Sequence, residues 1–260
     1  MRRLRLAGET MSDSSPPLPS QDGPEALDAF IGKWRARWPE WSVAEVFVPS
    51  PDRSVALAWA SLQQELTDAA WGGSDPRPGE AKLLWWHEEL LGWTLGRRRH
   101  PLGTTLQRLR APWGDFAAAL PTLRASRERP HDGAEAFSLL LPLATAAATV
   151  ERALFAGAHV SDADTARLIC ATWLQARLVG EDAAAVPLSA MAHGGEGRDG
   201  GGADRWWRAE LLREWPPAGR ATRPRQLWAA LARARLVRGA AAQPLGAWQA
   251  LWTAWRAARN

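Results

Sequence analysis

Apolar residues recur every three or four positions along most of the chain from Pro24 onward, and proline, glycine and aspartate interrupt them at helix-length intervals. Helix-start signals support this pattern, such as Ser-Asp-Ala-Asp at 161–164 and Pro244. The nearest approach to a strand pattern, at 41–48, lacks a convincing run of β-branched residues bounded by turns. We therefore predict an all-α protein. The predicted helices span 24–37, 53–71, 80–96, 101–110, 112–126, 134–157, 162–180, 203–215, 224–238 and 245–258.

Two segments differ in composition from this helical pattern. Residues 1–23 are rich in serine, proline and acidic residues and lack the apolar core of a signal peptide, so we predict a disordered tail, with Met1 or Met11 as the start. Residues 192–204, AHGGEGRDGGGAD, are predicted to form a flexible loop because ordering so many glycines costs entropy. The three helices after it are too small for a separate core, so we predict one helical domain over 24–260.

The composition favours a soluble globular protein, with 46% hydrophobic and 23% charged residues. No apolar run reaches the roughly 18 residues that cross a bilayer. The net charge is +4, and no basic arm is interleaved with aromatic residues, so we expect no nucleic-acid partner. A lone Cys170 excludes an intramolecular disulfide and is predicted to be buried and inert. We expect a cytoplasmic location, with peripheral contact at the inner membrane face as a candidate.

Tryptophan is unusually abundant, with 17 residues and no tyrosine. Two of them are adjacent in the predicted helix 80–96, where Leu83, Trp86, Leu90 and Trp93 fall on one face. This wide apolar face predicts core packing. The five histidines show no metal spacing, and the chain has no nucleophile elbow and no phosphate-binding glycine loop.

The segment 204–215, DRWWRAELLREW, allows two interpretations. Trp207, Leu211 and Trp215 share one helical face, and arginines surround it. The segment is therefore either an interfacial helix on an anionic membrane or a core-facing helix whose arginines extend to solvent. The sequence favours the second interpretation.

Several stretches of the chain, covering about residues 40–258, resemble motifs of the squalene/phytoene synthase family in the family's order. Its opening segment, in which a proline four residues before an arginine leads into the first aspartate-rich helix, is similar to FVPSPDRSVALAWASLQQELTDAAW (47–71). Its paired-aromatic helix, basic turn and His-Pro are similar to KLLWWHEELLGWTLGRRRHPLGTTL (82–106). Its second aspartate-rich region is similar to LQARLVGEDAAAVPL (174–188). The Arg- and Trp-rich ends of bacterial members are similar to PLGAWQALWTAWRAARN (244–260).

This resemblance implies a single helical bundle of the isoprenoid synthase type. Active members of the family condense two prenyl diphosphates head to head and release diphosphate with the help of Mg²⁺. Hard cations held by carboxylates on facing helices stabilise the charge of the leaving diphosphate. The aspartates of the two motifs are therefore the residues on which catalysis depends.

The family's first motif is reduced to one acid in this chain. Aligned without gaps from Pro49 and Arg53, its two adjacent aspartates and a third one turn later fall on Thr67, Asp68 and Trp71. Glu65 lies three residues before Asp68 and is a further candidate metal ligand, although this spacing is also common on solvated helices.

The second motif is reduced in the same way. Aligned from Leu174 and Gln175, its first aspartate falls on Asp182 and its partner four residues later falls on Val186. Glu181 lies beside Asp182 but points to a different side of a helix. The tyrosine that family members usually carry after this motif is absent.

These losses predict a family member that keeps the fold and has lost the condensation. It would bind a prenyl or other apolar ligand, or act as an assembly or scaffold protein with a protein partner, and we expect no cofactor. The alternative is an active, Mg²⁺-dependent prenyltransferase of isoprenoid biosynthesis. That enzyme would use Glu65, Asp68, Glu181 and Asp182 as metal ligands, with Asp68 and Asp182 as the catalytic remnants. Its diphosphate would be bound by Arg53 and Arg177, which the alignment places near both motifs.

Overall fold

The computed structural model describes residues 24–155, 160–180, 184–193, 201–217, 219–239 and 243–259, and within these ranges the protein is all-α, without a strand. The predicted tail 1–23 lies outside the described residues. The helices are α1 Pro24–Arg37, α2 Trp41–Ala44, α3 Arg53–Trp71, α4 Pro76–Thr94, α5 Gly103–Leu106, α6 Trp113–Ala125, α7 Gly133–Leu154, α8 Asp162–Val179, α9 Leu188–His193, α10 Gly201–Arg213, α11 Arg223–Val237 and α12 Ala247–Ala258. Two 3-10 turns, Glu45–Phe47 and Ser50–Asp52, precede α3.

Each predicted helical segment contains a helix, and the bounds of α1 and α3 agree to the residue. Helix α4 begins earlier than predicted, because the side chain of Asp75 accepts a hydrogen bond from the Arg77 N–H and Pro76 occupies the first helical position. The predicted helix 101–110 is shorter, since only Gly103–Leu106 is α-helical. The short helices α2 and α9 were not predicted.

The prediction of a flexible loop over 192–204 is wrong at both ends. Helix α9 continues to His193, and α10 begins at Gly201. Glycine is tolerated at a helix N-terminus, so the last glycines of the run do not prevent α10 from starting there. Residues 194–200 lie outside the described residues.

Neighbouring helices in the chain are also neighbours in space. Helix α7 packs on α6 and α8, α4 packs on α3 and α6, and α11 packs on α8 and α12. The larger core cluster lies among α3, α4, α6, α7 and α8, and a smaller one joins α1 and α2 to α11 and α12. Helix α7 is the one described helix long and apolar enough, by length and composition, to cross a membrane, and it is packed between its neighbours in the bundle.

The adjacent tryptophans of α4 pack in the core, as predicted. Trp86 is fully buried, and its ring meets that of the half-buried Trp85 edge to face at 5.2 Å. The imidazole of His100 lies 4.4 Å from the ring of Trp86, and Phe30 covers it from another side. His100 Nδ1 accepts a hydrogen bond from the Leu102 N–H, so this histidine caps the turn.

The basic turn after α4 is held by one buried carboxylate. Glu89 Oε1 accepts hydrogen bonds from the backbone N–H groups of Arg99 (2.7 Å) and His100 (2.8 Å) and from the Trp93 indole (2.9 Å). Desolvation disfavours the charged form of Glu89, but these bonds and that from the Arg99 side chain outweigh it and lower the pKa of Glu89. The WWHEE and RRRHP stretches therefore form one structural unit.

A second buried carboxylate, Glu151 of α7, lies at the centre of the bundle. It is paired with the guanidinium of Arg225 from α11, and both side chains are almost fully buried. Glu151 also accepts hydrogen bonds from the indole of Trp59 (2.8 Å) and the hydroxyl of Thr222 (3.1 Å). The carboxylate thus has partners on α3 and at the start of α11.

The remaining donors of Arg225 connect two further helices. Arg225 Nη1 donates to Thr172 Oγ1 of α8 (3.0 Å), and Nη2 donates to Gln63 Oε1 of α3 (2.7 Å). The ring of Trp228 lies under the guanidinium at 4.6 Å. This buried network joins α3, α7, α8 and α11, so it fixes the relative positions of four helices.

We predict that Arg225→Met lowers the free energy of unfolding by about 3 to 5 kcal/mol, because it leaves the Glu151 carboxylate buried without its cation. The matched control is Arg152→Met, which removes the exposed arginine next to Glu151 on α7. Arg152 pairs with Asp162 at 2.9 Å on the surface, and its loss should cost less than about 1 kcal/mol. Urea titration monitored by tryptophan fluorescence measures both. Equal losses for the two variants would contradict the role given to the buried pair.

We predict that His100 makes the protein less stable as the pH falls from 6.5 toward 4. Burial, partly offset by Glu65 and Glu89, lowers the pKa of His100 from 6.5 to about 4. Between these values the unfolded chain binds a proton that the folded one excludes, so stability rises with pH. The full effect is roughly 3 kcal/mol.

The check compares wild type with His100→Asn, which keeps an acceptor for the Leu102 N–H. Unfolding free energies measured from pH 4 to 7.5 should diverge across that window, with the wild type falling faster toward low pH. A constant difference between the two proteins would show that His100 does not titrate as described.

Candidate functional site

A cavity of about 850 Å³ lies where the C-terminal ends of α3 and α8 come together. The loop 72–74 after α3 and the connection between α6 and α7 form further walls. Residues at the end of α1 and on α11 complete the lining. The described residues around it come from distant parts of the chain, so the cavity exists only in the folded bundle.

The three positions aligned with the first aspartate-rich motif all line this cavity. The Thr67 hydroxyl is used within α3, where it donates to the carbonyl oxygen of Gln63 (3.0 Å). The Trp71 indole donates to Ser126 Oγ (3.0 Å). Asp68 supplies the one carboxylate among the described lining residues.

Asp68 is already paired with a cation. Arg37 Nη1 lies 2.7 Å from Asp68 Oδ1, and Nη2 lies 3.4 Å from Oδ2, so the contact is bidentate. Both side chains remain partly exposed at the cavity. A metal ion at Asp68 would have to displace this arginine.

The second motif region reaches the same cavity through α8. Gln175 and Arg177 line it, so the structure brings Arg177 and Asp68 to one site. Glu181 and Asp182, the predicted acids of this motif, lie outside the described residues. Val186, aligned with the motif's last aspartate, has its carbonyl oxygen bound by Arg129 at 2.7 Å.

Arg177 is buried and holds the wall of the cavity. Its guanidinium donates to the carbonyl oxygens of Ser126 (2.7 Å) and Arg127 (2.9 Å) and lies over the ring of Trp71 at 5.4 Å. The side chain therefore joins α8 to the connection after α6 and to the end of α3.

Two other predicted residues do not line the cavity. Arg53 donates to the carbonyl oxygens of Val48 (3.1 Å) and Val46 (3.2 Å) at the start of α3. Asp68 lies 15 residues further along this helix, a rise of about 22 Å. This placement argues against a shared diphosphate site for Arg53 and Arg177.

Glu65 is buried on the side of α3 that faces α4. Lys82 lies 2.6 Å from its Oε2 and Lys33 lies 3.8 Å from its Oε1. The carboxylate is thus neutralised by two lysines and is not among the cavity-lining residues.

Arginine is the most frequent charged residue of the described lining. The sequence did not predict this group of arginines. The lining arginines are Arg37, Arg127, Arg129, Arg177 and Arg235. Only Arg177 was predicted. The stretch RASRERP at 124–130, in which Arg127 and Arg129 fall in the short connection between two predicted helices, is a signal that could have indicated these two.

Arg127 binds the end of α3 directly. Its guanidinium donates to the carbonyl oxygens of Ala70 (2.8 Å), Gly72 (3.2 Å) and Gly73. A cation at this position also interacts favourably with the negative end of the helix dipole. Gly73 has a φ of +69°, a conformation that favours glycine, so the turn that presents these carbonyls depends on it.

The described residues suit an anion better than a magnesium cluster. Among them, no three His, Cys, Asp or Glu side chains converge as metal ligands. Guanidinium groups bind phosphate or carboxylate oxygens in pairs, and the described lining carries five of them beside one carboxylate. Trp38, Trp71 and Val179 add apolar surface to the lining.

Comparison of the sequence with models of known protein families finds no match, and comparison with curated proteins finds none either. The function of the cavity must therefore be inferred from its geometry and from the motif resemblance.

Proposed function

We propose that this chain is a squalene/phytoene synthase-like protein with an isoprenoid synthase-type bundle, and that it binds a ligand without condensing prenyl diphosphates. The observation that carries the proposal is the ion pair of Asp68 with Arg37 at an arginine-lined cavity. At this place an active family member is expected to hold magnesium on several carboxylates.

Electrostatics supports this proposal. Breaking an allylic diphosphate requires cations held close to the leaving group, and each Mg²⁺ takes about six oxygen ligands, one or more of them carboxylates. The described lining offers one carboxylate, and a guanidinium is bound to it. Nearby positive charges also repel a divalent cation, most strongly where water is partly excluded.

The same charges favour a ligand with an anionic group. Its phosphate or carboxylate oxygens would bind the arginines, and an apolar part would lie against Trp38, Trp71 and Val179. A prenyl diphosphate bound without turnover fits this description, as does another apolar molecule with an acidic head group.

We predict no turnover of prenyl diphosphates. Purified protein incubated with Mg²⁺ and farnesyl or geranylgeranyl diphosphate should release no pyrophosphate and form no C30 or C40 hydrocarbon, because the described lining holds one carboxylate and Arg37 is paired with it. Pyrophosphate release and product extraction measure this. Turnover that is lost in Asp68→Ala would establish the alternative, a magnesium-dependent prenyltransferase.

We predict that Asp68→Asn tightens anion binding about tenfold, because it frees Arg37 and removes a negative charge from the cavity. Arg37→Gln should weaken the same binding about tenfold. Isothermal titration with inorganic pyrophosphate in the presence of EDTA measures both. In a parallel titration with Mg²⁺ in place of EDTA, a magnesium site would give the opposite sign, because Asp68→Asn would then remove a ligand of the metal that holds the pyrophosphate.

The matched control for these titrations is Asp115→Asn, which removes an exposed carboxylate from the first turn of α6, outside the cavity lining. Its affinity for pyrophosphate should equal that of the wild type. The thiol of Cys170 reports whether each variant is folded. Burial raises its pKa to about 12, so it should react with thiol reagents only after unfolding.

A further inference from the structure

Helix α12 has two unlike faces. Its inner face is made of small residues, Ala250, Ala254 and Ala257, which are buried against α11 and α2. Its outer face carries Trp248 and Trp252, which are 85% and 59% exposed. Large indoles left in water on a helix that is otherwise well packed indicate an interaction surface.

The outer residues form one line along the helix. Trp248, Trp252, Trp255 and Arg259 follow each other at intervals of four, three and four, so they share a face about 17 Å long. The rings of Trp252 and Trp255 stack at 4.8 Å, and the guanidinium of Arg259 lies over Trp255 at 4.7 Å. We call these four residues the α12 stripe.

The charge around the α12 stripe is positive. The 46 residues that follow Glu214 contain no aspartate or glutamate and eight arginines, two of which, Arg225 and Arg235, are buried in ion pairs. Arg256 and Arg259 are exposed at the C-terminal end of α12. Arg238 donates to the carbonyl oxygen of Pro244 (2.9 Å), which places a third exposed arginine just before the helix begins.

The acid on the 3-10 turn that contacts α12 is neutralised. Helix α12 touches the 3-10 turn Glu45–Phe47, where Glu45 is paired with Arg35 at 3.2 Å. The same turn exposes Val46, which adds apolar surface next to the helix. The surroundings of the α12 stripe are therefore apolar and basic.

We propose that the α12 stripe docks on a lipid surface with anionic head groups. Tryptophan prefers the head-group layer, where its ring is in apolar surroundings and its N–H remains hydrated, and arginine binds lipid phosphates there. The two exposed indoles offer roughly 300 to 500 Å² of apolar surface, which is less than the roughly 800 Å² that each partner buries in a standard protein interface. The small apolar area and the basic surroundings of the α12 stripe therefore fit a membrane better than a protein partner.

This surface differs from the interfacial helix considered from the sequence. In α10, Trp207 and Leu211 are buried in the core, and the half-buried Trp206 stacks on the imidazole of His193 at 4.6 Å. The core-facing interpretation of 204–215 therefore holds. Helix α12 does not line the arginine cavity, so the inference is independent of the ligand proposed there.

The test is co-sedimentation of the full chain with vesicles of phosphatidylcholine containing about one third phosphatidylglycerol, at low salt. Wild type should bind these vesicles and bind pure phosphatidylcholine at least tenfold more weakly. The double variant Trp248→Ala/Trp252→Ala should lose at least tenfold in partitioning. In Arg256→Gln/Arg259→Gln, partitioning onto the anionic vesicles should fall about fivefold for each arginine removed, and partitioning onto pure phosphatidylcholine should not change.

The matched control is Leu84→Ala/Leu95→Ala, which removes one residue of α4 and the residue that follows its last one, both exposed to a similar degree. It should bind as the wild type does. Failure of the wild type to sediment with anionic vesicles, or equal binding by the Trp248→Ala/Trp252→Ala variant, would overturn the proposal. The proposal would also be overturned if the wild type did not bind vesicles but formed a concentration-dependent dimer in light scattering, and if Trp248→Ala/Trp252→Ala abolished that dimer.

Discussion

The pairing of Glu151 with Arg225 is the interaction on which the rest of this bundle depends. Burying two ions is costly, and the cost is met only because every remaining partner is supplied from four helices. Gln63 and Thr172, which complete the network, lie on α3 and α8. These two helices also form the main walls of the arginine-lined cavity, so the position of the candidate site follows from the same buried contact.

Helical periodicity made most of the fold predictable, since a 3.6-residue repeat of apolar side chains is a local property of the chain. The bounds of α1 and α3 show how well such a repeat defines an element. The start of α4 was missed because Asp75 caps it through one side-chain bond, which changes no apolar repeat. The pairing of Glu151 with Arg225 joins residues 74 positions apart, and no local pattern reveals such a partner.

The candidate site was predicted only in part. Asp68 and Arg177 lie at one cavity because α3 and α8 bring their C-terminal ends together. Glu65, three residues before Asp68, lies about 60° from it around the helix, on the side that faces α4, and it pairs with two lysines instead. The other arginines enter from a loop, from α1 and from α11, and their convergence depends on tertiary packing that a motif alignment does not contain.

Two of the buried carboxylates receive their cations from α11. Arg225 reaches Glu151, and Arg235 pairs with Glu40. Glu40 and Glu151 are synthesised long before these arginines, so the growing chain carries two carboxylates that belong to the core but do not yet have their cations. The bundle can reach its final packing only after α11 has emerged. Premature termination before residue 225 should therefore leave a product that cellular quality control recognises as incomplete.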